Sequence, residues 1–210
     1  MKNKGILTII SGFSGVGKGT LVKMLLEKYD NYALSISATT REPRVGEQDG
    51  VNYFFITKDE FEKKIDNKEL LEYAQYVGNY YGTPRRYVEE QLNNGKDVLL
   101  EIEIQGAMQI KEIMPDAMTI FVMPPDAKTL KERLVGRGTE SMEVIDERLK
   151  RAVVESQGIE KYDNILVNDD LEESVKELHS IIQASHNSSF RNIDFIKEIR
   201  EDIKVFSEGE

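Results

Sequence analysis

Continuous apolar runs alternate along this chain with stretches whose apolar residues recur every three or four positions. That rhythm predicts an α/β fold with a parallel sheet flanked by helices. Residues 6–11 form a β-branched, apolar run suited to a strand buried on both faces. Residues 20–29 follow with Leu21, Met24 and Leu25 on one side and polar residues opposite, a helix pattern. Residues 98–102 and 118–123 read as two further buried strands and 164–167 as a last short one. Pro124 and Pro125 break the chain, and Asp126 is placed to cap a helix running through Leu134. A helix over 171–184 sets Val175, Leu178, Ile181 and Ile182 on one face.

Residues 37–93 depart from this rhythm. Short alternating runs at 52–56 and 70–77 are separated by turn residues Gly46, Asp49, Gly50, Gly78 and Asn79. Thr57 and Glu60 form a capping-box pattern that opens a short amphipathic helix. The segment reads as a small mixed subdomain inserted into the core, and the charged, arginine-rich 135–156 as a second insertion. The expected core is therefore 1–36, 94–134 and 157–187, within one domain spanning 1–187. The tail 188–210 is polar, with a weak helical pattern through Phe195, Ile196 and Ile199, and carries no recognisable chemistry.

Composition narrows the functions available. The 210 residues suit one domain with insertions, and 40% hydrophobic with 31% charged residues suits a folded chain. The absence of cysteine excludes disulfides and cysteinyl metal sites. The two histidines, His179 and His186, read as helix-surface residues rather than catalysts. The apolar run at 6–10 is too short for a membrane span or a signal-peptide core, so a cytoplasmic location is expected. A net charge of −10 argues against general binding to nucleic acid or anionic membrane. Any phosphate site must concentrate its cations against that acidic background.

The most specific local signal is Gly12-Phe13-Ser14-Gly15-Val16-Gly17-Lys18-Gly19-Thr20, set between a buried strand and a helix. Its glycines let successive N–H groups turn into one concavity for anionic oxygens, and the following helix adds its positive end. Lys18 is placed to reach phosphate oxygens, so the loop predicts a nucleoside triphosphate. The usual hydroxyl residue after the lysine is replaced by Gly19, and the hydroxyl comes one place later at Thr20. Thr20 is the candidate Mg2+ ligand, directly or through water.

Two further stretches offer donors for a second anion. Ser37-Ala38-Thr39-Thr40-Arg41-Glu42-Pro43-Arg44 sets two arginine forks beside hydroxyls, and Gly78-Asn79-Tyr80-Tyr81-Gly82-Thr83 adds phenols and a hydroxyl on a turn. Glu101 and Glu103 follow a strand and share one side of it, at the carboxyl end where α/β sites lie. Contact with Mg2+, contact with substrate, and an ion pair with an arginine all stay open for them, with Glu103 expected nearer the substrate.

Together these blocks resemble the guanylate kinase family, through residues 12–20, 37–44, 50–53, 72–83, 101–106, 133–140 and 168–170 in order. The resemblance implies a P-loop NTPase-type core, a GMP-binding subdomain at 37–93 and a helical lid at 135–156. It implies ATP and GMP as partners, dGMP as a further substrate, and Mg2+ entering with ATP. ATP would lie on Gly12 to Thr20 with Arg133, Arg137, Asn168 and Asp169. GMP would be held by Ser37, Arg41, Arg44, Tyr53, Glu72, Tyr81, Thr83 and Glu103. Glu72 would read guanine, whose N1–H and N2 amino group sit side by side for one carboxylate to accept. Lys18, Arg41, Arg137 and Arg148 would serve the transfer. Two alternatives remain at this stage, a non-catalytic binding module and a kinase for another small phosphate acceptor; a homodimer stays open.

Overall fold

The computed structural model describes residues 4–76, 78–136 and 141–206. Five strands make the core sheet: β1 (Leu7–Gly12), β2 (Tyr32–Leu34), β7 (Asp97–Glu101), β8 (Met118–Met123) and β9 (Asn164–Val167). They run parallel in the order β2-β7-β1-β8-β9. Ile9, Ile10, Leu99, Leu100, Ile120 and Phe121 are fully buried, as their unbroken apolar runs require. The chain leaves β1 for β2 and β7 on one side, and β8 and β9 extend the sheet on the other. The carboxyl end of β1 therefore sits at the point where the winding reverses, and there α/β proteins bind their ligands.

The helices are α1 (Lys18–Lys28), α2 (Lys58–Asp66), α3 (Arg85–Asn93), α4 (Ile104–Ile113), α5 (Ala127–Gly136), α6 (Met142–Glu155), α7 (Leu171–His186) and α8 (Ile193–Asp202). Asp126 accepts from the N–H of Thr129 at the head of α5, as the sequence pattern predicts. β2, α3 and α4 are elements that periodicity does not single out: β2 has three residues, and α3 and α4 mix their polar and apolar positions. Among the described residues no helix is long and apolar enough to cross a membrane.

Residues from 38 to 84 form a second sheet, β4-β3-β6-β5, from β3 (Ala38–Thr39), β4 (Phe54–Phe55), β5 (Leu70–Tyr76) and β6 (Asn79–Pro84). The β5–β6 hairpin turns through Gly78, whose φ of 76° is the left-handed conformation that glycine adopts freely; Val77, at the end of the predicted run, lies outside the described residues. Ala38, Phe61 and Leu70 form a separate apolar cluster there, with Tyr80 stacked on Phe61 at 5.1 Å. The capping box of α2 is complete: Thr57 Oγ1 accepts from the Glu60 N–H, and Glu60 Oε2 accepts from the Thr57 N–H. This small sheet meets the core where β5 touches α4.

The two histidines correct the surface reading. Both are partly buried in a network joining α7 to the amino end of the sheet. His179 stacks on Tyr29 at 3.7 Å, and its Nδ1 lies 2.7 Å from the Tyr32 hydroxyl. His186 Nε2 lies 2.9 Å from Asp97 Oδ1. Asp97, 1% exposed, also accepts from the Ile6 N–H at 2.8 Å and from Gln183 at 3.2 Å. Helical periodicity cannot reveal this, because the partners come from residues 89 or more positions away. Truncation of Asp97 strands several donors at once. Asp97→Ala is expected to cost about 2–3 kcal/mol of stability, read as a lowered urea midpoint with unchanged slope.

Candidate active site

The loop between β1 and α1 is shaped by three glycines with positive φ: Gly12 at 155°, Gly15 at 87° and Gly17 at 98°. Gly15 and Gly17 need glycine most, since their φ values lie in the region that side chains disfavour. The side chains of Phe13 and Val16 are buried, and Phe13 packs edge-on against Phe121 at 5.1 Å. These two anchor the loop, and what they offer a ligand is backbone. α1 begins at Lys18 itself, so the expected helix start at residue 20 moves two places earlier. Lys18 Nζ donates to the Gly12 and Phe13 carbonyl oxygens at 2.7 and 3.2 Å, holding the ammonium under the curl of the loop.

Asn168 and Asp169 follow β9. Asn168 is 5% exposed, and its Nδ2 donates to the Val16 carbonyl at 2.8 Å. Arg133 of α5 donates to the Asn168 carbonyl at 2.8 Å and to the Asp169 carbonyl at 3.3 Å. Asn168 and Arg133 thus brace the phosphate loop from behind, a structural task that the sequence alone did not assign them. Arg148 of α6 donates to the Ser14 hydroxyl. Arg137, the other lid arginine expected here, lies outside the described residues.

Two cavities open over this loop and share a wall. One, of about 460 Å3, is lined by Gly12, Ser14, Lys18, Glu101, Glu103 and Arg148 among others. The second, of about 690 Å3, runs from Ser14, Lys18 and Arg148 into the small sheet. Its far end is lined by Ser37, Arg41, Arg44, Tyr53, Glu72 and Tyr81. The structure therefore gathers these sequence-predicted residues around one space. Thr20, exposed on α1, lines neither cavity, and neither do Thr83, Arg133, Asn168 and Asp169. A Cβ on Gly19 would instead stand 3.6 Å from Glu101 Oε2, so the helix turns residue 19 toward the site.

Glu72 on β5 is 7% exposed, and its Oε1 accepts from Thr83 Oγ1 at 2.7 Å. Thr83 is fully buried and does not line the cavity. In this structure it supports Glu72 through that hydrogen bond. A Cβ on Gly106 would lie 2.9 Å from Glu72 Oε2, so the bare backbone of α4 makes room for the carboxylate. Burial raises the Glu72 carboxyl above the ordinary range, and the Thr83 hydrogen bonds only partly oppose this.

Glu101, exposed at the end of β7, opens to both cavities with protein packed around its carboxylate. That packing raises its carboxyl, while the Lys18 charge lowers it. Glu103, expected to be the nearer to substrate, is paired with Arg151 of α6. The ion pair left open for Glu101 is thus made by Glu103. At the other end, Arg41 Nη2 bonds Glu47 Oε1 at 2.9 Å, and its guanidinium lies 5.4 Å from the Tyr53 ring. Sequence reasoning missed Glu47 and Gly106. The only signal for Glu47 was one acid placed soon after two arginines.

A central parallel strand running into a curled glycine loop with a buried-side lysine, facing a second cationic pocket, defines a P-loop NTPase-type protein. The family model described as guanylate kinase matches residues 4–185. A guanylate kinase of Oceanobacillus iheyensis is 52% identical over 202 residues, covering 96% of this chain and 98% of that one. One from Lactococcus lactis is 49% identical over 205 residues, covering 98% and 100%. The crystal structure of guanylate kinase from Anaplasma phagocytophilum superposes with a TM-score of 0.74 at 34% identity, covering 90% of each chain. The chain belongs to the guanylate kinase family.

The raised Glu72 carboxyl has a consequence for stability. The folded state holds its proton more tightly than the unfolded state, so folding is penalised above the folded value and relieved as the pH falls. Glu72→Gln should therefore raise the Tm of the ligand-free protein at neutral pH. The gain should vanish as the pH approaches about 4, the ordinary glutamate value, in paired thermal melts across pH.

Proposed function

We propose that this chain transfers the γ-phosphoryl group of ATP to GMP, and to dGMP, giving ADP and the diphosphate. The reading rests on the family and on one observation: the cavity over the phosphate loop and the cavity reaching Glu72 share Ser14, Lys18 and Arg148 as a common wall. A donor on one side and an acceptor on the other would meet there.

In this reading an oxygen of the GMP phosphate forms a bond to the γ-phosphorus as the bond to the bridging oxygen of ADP breaks, in line. The attacking oxygen is already anionic near neutral pH, so no general base is needed. The obstacle is repulsion. Two unit charges about 4 Å apart repel by about 4 kcal/mol at an effective dielectric near 20, and each phosphate carries more than one. Lys18, Arg41, Arg137 and Arg148 neutralise this charge and hold the two groups in place. Glu101 borders both cavities beside Lys18 and offers the hard oxygen that Mg2+ takes. Glu101 would hold the Mg2+ that enters with ATP, and that ion would supply charge neutralisation. Thr20 does not suit that place.

Glu72 would accept from guanine N1–H and the N2 amino group, whereas adenine presents a bare N1 and is repelled. Ser37 adds a hydroxyl to this wall, and Tyr53 and Tyr81 join the two arginines around the acceptor phosphate. Residues 37–93 would act as the acceptor subdomain and 135–156 as a lid that excludes water. The reaction belongs to the cytoplasm, where ATP and GMP are its small-molecule partners.

A coupled ADP-release assay with magnesium, ATP and a panel of acceptors tests the reading. Turnover is expected with GMP and not with AMP or a ribose bisphosphate; no GDP from ATP and GMP overturns it. Lys18→Ala should lower kcat by about two to three orders of magnitude with the fold intact by circular dichroism. Glu72→Gln should chiefly erode the preference for GMP over AMP, and an unchanged preference would remove Glu72 from the base site.

A further inference from the structure

We infer that Glu47 is the positioning residue of the acceptor-phosphate site, clasping Arg41 and the backbone of Arg44 so that both arginines face the phosphate. The inference rests on the guanylate kinase reading of the second cavity and adds to it a residue that neither the motifs nor the resemblance singled out.

The segment from Arg41 to Glu47 has little else to hold it. Pro43, Arg44, Val45 and Gly46 are all exposed. A long guanidinium on such a loop samples many rotamers, and ordering it opposes ligand binding. Glu47 supplies the missing constraint with both carboxylate oxygens. Oε1 accepts from Arg41 Nη2 at 2.9 Å, and Oε2 accepts from the Arg44 N–H at 2.7 Å. The backbone closes the same ring in the other direction, because the Glu47 N–H donates to the Arg44 carbonyl at 3.0 Å. That four-residue turn has Gly46 as its third residue, with a φ of 88°, the conformation that such a turn demands there.

The clasp leaves Arg41 held on several sides. Its Nη1 donates to the Glu42 carbonyl at 2.7 Å, and the guanidinium lies 5.4 Å from the Tyr53 ring and 5.7 Å from that of Phe55. Arg41 and Glu47 side chains are only 15% and 19% exposed, so the pair is an enclosed one and not a solvated surface contact. The Arg41 hydrogen bond, followed by the Arg44 N–H, holds the Glu47 carboxyl below the usual range, so the clasp is ionised wherever the phosphate is a dianion. Set against two arginines, one carboxylate leaves a net positive site whose geometry is fixed before the ligand arrives. A rival role is possible for the same contact: Glu47 could act as an internal anion that the phosphate must displace. The two roles predict opposite signs.

The test is calorimetric binding of GMP and of guanosine, without ATP, to the wild-type chain and to Glu47→Gln and Glu47→Asp. Guanosine lacks the phosphate, so it reports the base pocket alone. The expected result for Glu47→Gln is GMP affinity lowered about tenfold, the loss of about one charge-assisted hydrogen bond, with guanosine affinity and Tm unchanged. Glu47→Asp keeps the charge with a shorter reach and should fall between. Unchanged or tighter GMP binding overturns the inference in favour of the displaced anion. Equal weakening of GMP and guanosine overturns it in favour of simple loop support. A wild-type chain that binds GMP without turning it over fails the catalytic reading alone, and one that binds no GMP fails both.

Discussion

The curl of the phosphate loop is imposed from outside as much as by its own backbone. A Cβ on Gly12 would meet the Val122 carbonyl at 2.4 Å, one on Gly15 would meet Leu134 at 2.6 Å, and one on Gly17 would meet Asn168 Nδ2 at 2.7 Å. Three parts of the fold, the end of β8, α5 and the turn after β9, thus press on three successive glycines. Side chains there would push the loop off its supports, whatever φ they could reach. Because α1 starts at Lys18, the position of the lysine and the direction of the helix are set by the same packing. A loop so held presents its N–H groups without having to reorganise when an anion arrives, and preorganisation of that kind is what electrostatic catalysis requires.

The acidic balance of the chain turns this local arrangement into a selective one. Cations cluster at the wall between the cavities and around Arg41, while acids stand behind or beside them in defined pairs: Glu103 with Arg151, and Glu155 with Arg151. Glu72 is buried with no cation paired to it among the described residues, and is supported by the Thr83 hydroxyl. Its raised carboxyl is a standing strain in the ligand-free protein. Under the proposed function a ligand that supplies two donors would relieve it, and the cost of the empty site would become discrimination in the filled one.

Much of this was legible in the amino-acid order because the relevant physics is local. Buried parallel strands such as β1 and β8 read as unbroken apolar runs, and the Thr57 capping box and Asp126 cap are set by spacings of three residues. The phosphate loop and the paired arginines are equally local. What stayed hidden depends on distant partners. Asn168 reaches Val16 across 152 positions, and the histidines meet Asp97 and Tyr32 only once α7 has packed. The resemblance implies a base contact for Thr83, and its hydrogen bond to Glu72, with full burial, shows only once β5 and β6 have paired. Thr20 looked like a metal ligand because the hydroxyl was present, although the helix presents residue 19 instead.

The coupling of Thr83 to Glu72 constrains how such a pocket can change over time. The hydroxyl has its bond to that carboxylate and is sealed from solvent, so a replacement at 72 that offers no acceptor leaves it without a partner. The backbone of Gly106 narrows the choice further, since the space beside the carboxylate has no slack. Under the proposed function, a lineage drifting toward a different nucleobase would have to keep an acceptor for Thr83 at position 72, as Gln does, or alter both sites in concert. The epistasis lies within one small patch where β5, paired with β6, meets α4, and the phosphate machinery beyond it could pass through such a change untouched.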